Sequence, residues 1–408
     1  MRDQWTKLIH QPLMKLSGDP QSPLSFVVVI DALDECGRQE DILSLLQLLR
    51  EVKDLRTVQL RVLVTSRPET PIQLGFHAIP GDMHEDFKLH TISPAIVRHD
   101  IAIFLRHELY EIGKSRSLPL NWPGEQKLEI LVRRSRGLFI YAATVCRFVQ
   151  DPKWLPAKRL DIVLRGSDDG QSPTQRLDEM YVQILESSVI GECSEKEKSI
   201  LSRHFRDTVG PIVILFDSLS SVALTGLLPN LSEVTHTLES LKSIVNIPED
   251  QGSPIRLLHP SFRDFLLDRN RCSDGSFWID EGKTHHDIAQ QCLDVMSKTL
   301  KRNICHLKTP GTPRSQIAST IVDRYLPPHI QYACQYWIDH LHKSNPNLHD
   351  STQVYAFLQD HFLHWLEALS LIGKMAEAVL MIKTLGSIPA VSGSKMLLYV
   401  VDADPTNL

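Results

Sequence analysis

The chain has 408 residues, 42% of them hydrophobic and 23% charged, with 44 basic against 49 acidic side chains and a net charge of −5. That length suits about two to four domains and the composition can build cores, while the balanced charge excludes a chain drawn to nucleic acid by bulk electrostatics. The seven cysteines are odd in number, scattered and without a C-x-x-C, which argues for reduced thiols in the cytosol or nucleus rather than a disulfide framework, and a cytoplasmic chain is expected.

Residues 1–16, "MRDQWTKLIHQPLMKL", are expected to be an amphipathic helix. They carry charges and a Trp where a signal peptide would have an apolar centre. "SGDPQSP" (17–23) reads as a connector. "LSFVVVID" is short, β-branched and apolar, the pattern of a parallel-sheet strand covered on both faces. Residues 40–52 place Ile42, Leu45, Leu46, Leu49 and Val52 at helical spacing. "LRVLVTS" (60–66) and "FKLHTI" (87–92) read as a second and a third strand. Ser93 is expected to cap a helix that begins at Pro94. This order implies an α/β layer with parallel strands.

Beyond residue 120 the strand pattern stops. Helices are expected over 124–150, 155–165 and 175–190, with "SDDGQSP" (167–173) as a separator. "GLFIYAATVCRFV" (137–149) is the most apolar run; it is too short to span a bilayer and is interrupted by Arg147, so it reads as a buried helix. "RRSRG" (133–137) reads as a solvated helix face. Helices in 194–268 lead to a hairpin of "SIVNI" (243–247) and "IRLLH" (255–259), the order of a winged helix. The stretch has no Lys/Arg-rich recognition segment, so nucleic-acid binding is not expected. The chain after 280 is helical again, and Tyr332, Tyr336, Trp337 and Trp365 read as packing aromatics. His361 and His364 share a helical spacing without a second ligand pair, so no zinc site is expected. "YVVDADPTNL" reads as a linker stub.

Chemistry concentrates at the ends of two strands. "VVVIDALDEC" places Asp31 at the carboxyl end of a buried strand, where open α/β sheets bind ligands. An acid there can hold Mg²⁺ that bridges phosphates. Asp34 and Glu35 follow within one turn, and either could orient or deprotonate a water. The alternative is that these acids cap the next helix. "RVLVTSRPE" ends a second strand in Thr65, Ser66 and Arg67. Arg67 could reach a terminal phosphate, or be a surface Arg before a Pro turn.

With these motifs the chain resembles the NACHT-type signal-transduction NTPases (STAND proteins), in particular the NLR-like proteins of filamentous fungi. "VVVIDALDEC" is similar to their extended Walker B, with Ala32 as the small residue after the metal acid. "VLVTSRPE" is similar to sensor 1, "GLFIYAATVCRFV" to a helical-domain motif with Phe139 in place of a proline, "IRLLHPSFRDFLLD" to the winged-helix signature, and "YACQYWIDHL" is typical of fungal members. The resemblance implies Mg²⁺ on Asp31, water handled by Asp34 or Glu35, γ-phosphate sensed by Arg67, and the diphosphate faced by His259. It also implies ATP or ADP with Mg²⁺ as ligand and an oligomerising switch of innate-immunity or heterokaryon-incompatibility type.

The matching Walker A loop, G-x-x-x-x-G-K-[ST], is not found. "GKS" (113–115) and "GKT" (282–284) follow the Walker B strand, with Glu108 and Phe277 in the first-glycine position. Only Gly18 precedes the strand. The chain is therefore expected to be an N-terminally shortened relative with little nucleotide affinity and no hydrolysis. The expected architecture is an incomplete P-loop α/β domain (1–115), a helical domain (116–192), a winged helix (193–270) and a C-terminal helical region (271–408), mostly α overall. Two functions follow: a nucleotide-biased signalling switch, or a non-catalytic module that binds full-length relatives or other protein partners. A DEAD-type helicase fits poorly, and no membrane association is expected.

Overall fold

The computed structural model describes residues 2–16, 24–36, 39–51, 58–165, 171–191, 193–229, 234–273, 275–309, 311–344 and 351–387. The connector at 17–23, most of the separator at 167–173 and the terminal stub lie outside the described residues. The chain is mostly α and divides into two compact units, residues 1–92 and 93–408.

The first unit opens with α1 (Arg2–Trp5), a π turn and α2 (Gln11–Met14), helical as expected, although Leu8, Ile9 and Met14 are exposed. Trp5 is buried against Leu48, Leu49 and Leu60. Strand β1 (Leu24–Ile30) is followed by α3 (Gln39–Arg50), strand β2 (Val58–Val64) and α4 (Thr70–His77). β1 and β2 pair in parallel from Leu24 opposite Val58 to Ile30 opposite Val64. A parallel pair needs a crossover, and α3 supplies it. Leu33, Ile42, Leu46 and Ile72 form a small core with Ile30, Val64 and Phe76. Gly75 lets α3 and α4 approach, since a Cβ there would collide with Leu46.

Two expectations fail in this unit. "FKLHTI" forms no strand; it is extended chain and a 3₁₀ turn at Leu89–Thr91. β1 is not covered on both faces. Val27 and Val29 stand 67% and 61% exposed on one face, and Phe26 and Val28 about 40% and 39% on the other. Among the described residues the sheet has two strands only, so β1 has a neighbour on one edge and none on the other.

The second unit begins with α5 (Pro94–Ser115), whose Ser93 cap accepts from the Ala95 amide at 3.4 Å. It continues with α6 (Glu125–Ser135), α7 (Phe139–Gln150), α8 (Pro156–Val163) and α9 (Pro173–Leu185). α7 buries Tyr141, Ala142, Val145, Phe148 and Val149, as the apolar run predicts. "RRSRG" is not wholly a solvated face. Arg134 is buried and donates to the carbonyls of Val163 and Arg165 at 2.7 and 3.1 Å. A buried guanidinium needs such acceptors, and the frayed end of α8 provides them.

Then come α10 (Glu195–Ile214), α11 (Ser221–Leu227), α12 (Val234–Glu239), the antiparallel strands β3 (Val245–Asn246) and β4 (Arg256–Leu257), and α13 (Pro260–Leu267). Ser194 closes a capping box with Glu197 at the start of α10. The last described elements are α14 (Glu281–Thr299), α15 (Ser319–Tyr325), α16 (Pro328–Lys343), α17 (Ser351–Ile372) and α18 (Met375–Ser387). Trp337 and Trp365 are fully enclosed and meet edge to face at 5.8 Å, so these aromatics are core. Among the described residues no helix is long and apolar enough to cross a membrane.

Candidate functional site

The two parallel strands stay tied past their last ladder residues. The Thr65 amide donates to the Ile30 carbonyl, and the Leu33 amide to the Thr65 carbonyl, both at 2.9 Å. Between them Ala32 takes a left-handed backbone, φ 51°. That costs a non-glycine residue roughly 1–2 kcal/mol, and a β-branched side chain would fit worse. The turn is held by Thr65, whose hydroxyl accepts from the Ala32 amide at 2.9 Å and donates to Asp31 Oδ1.

The next three residues, Leu33–Glu35, form one 3₁₀ turn. Leu33 is buried in the core between α3 and α4 and anchors the turn. Asp34 points towards the segment after β2, its side chain only 8% exposed. Its Oδ1 accepts from the Arg67 amide at 2.9 Å, and its Oδ2 lies 3.7 Å from the Arg67 guanidinium. Glu35 is exposed. The structure therefore brings Asp31, Asp34, Glu35 and Arg67 into one cluster at the carboxyl ends of β1 and β2. Sequence spacing did not reveal the clasp itself, in which Thr65 holds Asp31 and Arg67 is tied to Asp34. The signal available was the Thr65–Ser66–Arg67 run at a strand end.

His259 lies in the second unit, where it caps α13. Its Nδ1 accepts from the Ser261 amide at 3.1 Å and is 2.7 Å from the Ser261 hydroxyl, which in turn is 2.9 Å from the Tyr181 hydroxyl. Burial pushes the Tyr181 phenol up to about 12, so it stays protonated as a neutral partner of Ser261. Phe139, at the first position of α7, is half-exposed and meets Phe104 edge-on at 6.1 Å.

The donor set was weighed against a nucleotide with Mg²⁺. The cluster holds three carboxylates and one guanidinium. One Asp31 oxygen is taken by Thr65, and Asp34 is committed to Arg67. A polyphosphate brought here without its Mg²⁺ would meet net negative charge, and these residues do not by themselves make an anion site. Among the described residues no group of three or more His, Cys, Asp or Glu is arranged to hold a metal. A separate cleft of about 860 Å³ lies between α10 and α14, lined by Arg203, Asp207, Trp278, Lys283 and Asp287 among others; burial raises the Asp287 carboxyl. It includes none of the five candidate residues.

The strand-end cluster lies within, or at the edge of, a stretch with a known relative. A family described as nephrocystin 3, N-terminal, matches residues 1–67, ending on Arg67. The "Vegetative incompatibility protein HET-E-1" of Podospora anserina is 26% identical over 394 residues, covering 91% of this chain and 27% of that protein. The chain thus spans about a quarter of the length of that curated relative. No solved structure matches the chain. The similarity runs through both units and supports a relationship to fungal NLR-like signalling proteins, the kinship that the motifs indicate.

Proposed function

We propose that this chain is a protein-interaction part of an incompatibility-type signalling protein and does not itself turn over nucleotide. In this reading it works in the cytoplasm and meets protein partners, including relatives with a similar fold. We take the helical (116–192) and winged-helix (193–270) parts expected above to be the parts that bind. The reading is carried by the strand-end clasp: Asp31 and Asp34 are tied to Thr65 and Arg67, and the three carboxylates outnumber the one guanidinium. The similarity through both units to a vegetative incompatibility protein supports the signalling context.

The other reading keeps the nucleotide switch. It has Mg²⁺ on Asp31, water at Asp34 or Glu35, Arg67 on the γ-phosphate and His259 on the diphosphate. The gathering of Asp31, Asp34, Glu35 and Arg67 at one sheet end favours it. Titration calorimetry of this polypeptide with ATP and Mg²⁺, and with ADP and Mg²⁺, separates the two. The expected result is no binding tighter than high micromolar, since several charge-assisted hydrogen bonds at about 1.5–3 kcal/mol each are missing. A stoichiometric, sub-micromolar isotherm abolished by Asp31→Asn would overturn the proposal in favour of the switch.

A further inference from the structure

We propose that the connector after α10 is a proton-gated lid: Phe216 seals a buried pair of histidines, His285 and His340, and a proton gained by that pair lifts it.

The lid is seated by backbone and ring together. The Phe216 amide donates to the Tyr332 hydroxyl at 3.2 Å. The Phe216 ring lies against His285, His340 and Tyr336, with centroids 5.6, 4.7 and 5.7 Å away, and the Lys343 ammonium is 5.2 Å from its centre. The two histidines are 1% and 0% exposed, whereas Phe216 is 37% exposed. The cover is therefore the part of the cluster already in touch with water.

The pair has room for one hydrogen between its rings. Nδ1 of His285 and Nδ1 of His340 are 2.7 Å apart, the distance of a single hydrogen bond. Nε2 of His340 is 2.7 Å from the Tyr332 hydroxyl, and burial raises that phenol, so it remains a donor. In the neutral pair His340 Nδ1–H donates to His285, Tyr332 donates to His340 Nε2, and His285 Nε2–H faces Glu281 at 3.9 Å. Both bare nitrogens are thus already acceptors. A further proton on His285 Nδ1 would put two hydrogens into the 2.7 Å gap and drive apart the rings on which Phe216 is stacked. A further proton on His340 Nε2 turns away the Tyr332 hydroxyl, the group that holds the Phe216 amide. Passing the hydrogen across the pair, so that His285 carries the charge, changes nothing: His340 then needs its own hydrogen on Nε2, facing Tyr332. Every arrangement with one more proton disturbs a contact that seats the lid.

The charged and titratable groups around the pair come from each element packed on it. Glu281 and Cys292 lie on α14, Tyr336 and Lys343 on α16, Asp217 on the connector and Arg263 on α13. Arg263 is 3.3 Å from Glu281, so that carboxylate is shared between Arg263 and His285. Burial, His285 and Lys343 all oppose charge on His340 while the lid is shut. Lifting Phe216 admits water and removes the largest of these costs, so the open form binds the proton more tightly and acid shifts the population towards it.

The test uses the full chain with 4-fluorophenylalanine in place of Phe216, followed by ¹⁹F NMR from pH 7.5 to 5.5 with far-UV circular dichroism on the same samples. The resonance is expected to move towards that of the free amino acid, with the open-to-closed ratio rising by up to about tenfold per pH unit per proton, while the dichroism stays that of the folded chain. His340→Gln offers an acceptor and a donor but takes no proton. In that background the ratio should change by less than about twofold over the same range, whatever its value at pH 7.5. A purely structural role for His340 would raise the ratio and leave its pH dependence in place. On the chain without the label or the substitution, exchange of the Phe216 amide, corrected for the intrinsic rate, should rise in step with the fluorine signal. A resonance that stays put, a change that coincides with loss of the dichroism, a pH dependence kept by His340→Gln, or an amide whose protection does not fall would each overturn the proposal.

Discussion

Val27 and Val29 in β1 face water, whereas Val145 and Val149 in α7 are fully enclosed. Both stretches are apolar and both were read as buried. α7 is surrounded by α5, α6, α8 and α9, which remove its apolar surface from water on nearly every side. β1 has β2 on one edge and the α3–α4 layer on one face. The hydrophobic contribution scales with area removed from water, at about 25 cal/mol per Å², so the same residue type stabilises one unit and not the other. An apolar run states a demand for neighbours; only the fold decides how many arrive.

The largest test of this contrast lies at the centre of the second unit. Trp365 is fully enclosed, packs edge to face on Trp337, and donates from Nε1 to the Cys334 carbonyl at 2.9 Å. Trp365→Ala removes that volume and leaves the carbonyl without its donor. It is expected to cost about 3–5 kcal/mol, read as the shift of the denaturant midpoint at unchanged slope. A loss below about 1 kcal/mol would mean that the C-terminal helices are not the closed core described here.

The clasp in the first unit should give a smaller and asymmetric effect. Asp34→Ala leaves the Arg67 amide without its acceptor and is expected to destabilise by about 1–2 kcal/mol. Arg67→Ala keeps that amide bond and removes a half-exposed guanidinium 3.7 Å from Asp34, so a smaller loss than for Asp34→Ala is expected. Equal losses would show that the side chain, not the backbone, carries the contact.

Much of the helical part was legible in the sequence because its signals are local. Ser93 before Pro94 marks a cap, and the spacing of α7 and the aromatics of α16 and α17 mark buried faces. The strand-end cluster was half legible. Apolar runs ending in "DALDE" and "TSR" locate Asp31, Asp34, Glu35 and Arg67 near one another, but hydrogen-bond pairing across 33 residues depends on the register of two strands. The left-handed Ala32 that Thr65 holds has no sequence signature short of glycine. "FKLHTI" was misread because alternation over six residues is a weak signal when no strand lies alongside to accept its ladder. Arg134 was misread because charge suggests solvent, while its acceptors are carbonyls about thirty residues away.

A buried histidine pair gives the next prediction, again confined to the closed unit. His285 and His340 meet Nδ1 to Nδ1 at 2.7 Å between α14 and α16. The Phe216 amide donates to the Tyr332 hydroxyl at 3.2 Å, and that hydroxyl is 2.7 Å from His340 Nε2. With His340 neutral, Tyr332 donates to its Nε2 and its Nδ1–H donates to Nδ1 of His285. Burial, with His285 and Lys343 nearby, holds His340 well below the usual histidine range. The folded state therefore binds fewer protons than the unfolded one, and stability must fall as pH drops below about 6.5. Glu281, held below the ordinary carboxylate range chiefly by the His285 ring that faces it at 3.9 Å, adds a loss of the same sign at lower pH, below about 4.5. Denaturant midpoints between pH 7.5 and 5.5 should decline by up to about 1.4 kcal/mol per pH unit per proton. His340→Gln should flatten that decline even though it is less stable at pH 7.5. An unchanged slope would assign the pH dependence elsewhere.

The most direct form of the comparison is one substitution made in both places. Val149→Thr puts a hydroxyl into the enclosed side of α7, with a cost of about 1–3 kcal/mol for burying it without a partner. Val29→Thr puts the same hydroxyl on the open face of β1. There it stays hydrated and keeps a β-branched side chain in a strand, so the expected change is within about 0.5 kcal/mol. Both variants are measured at one protein concentration, so that any self-association is held constant. If Val29→Thr proves as costly as Val149→Thr, something covers that face in solution, and the open sheet described here is an occupied one.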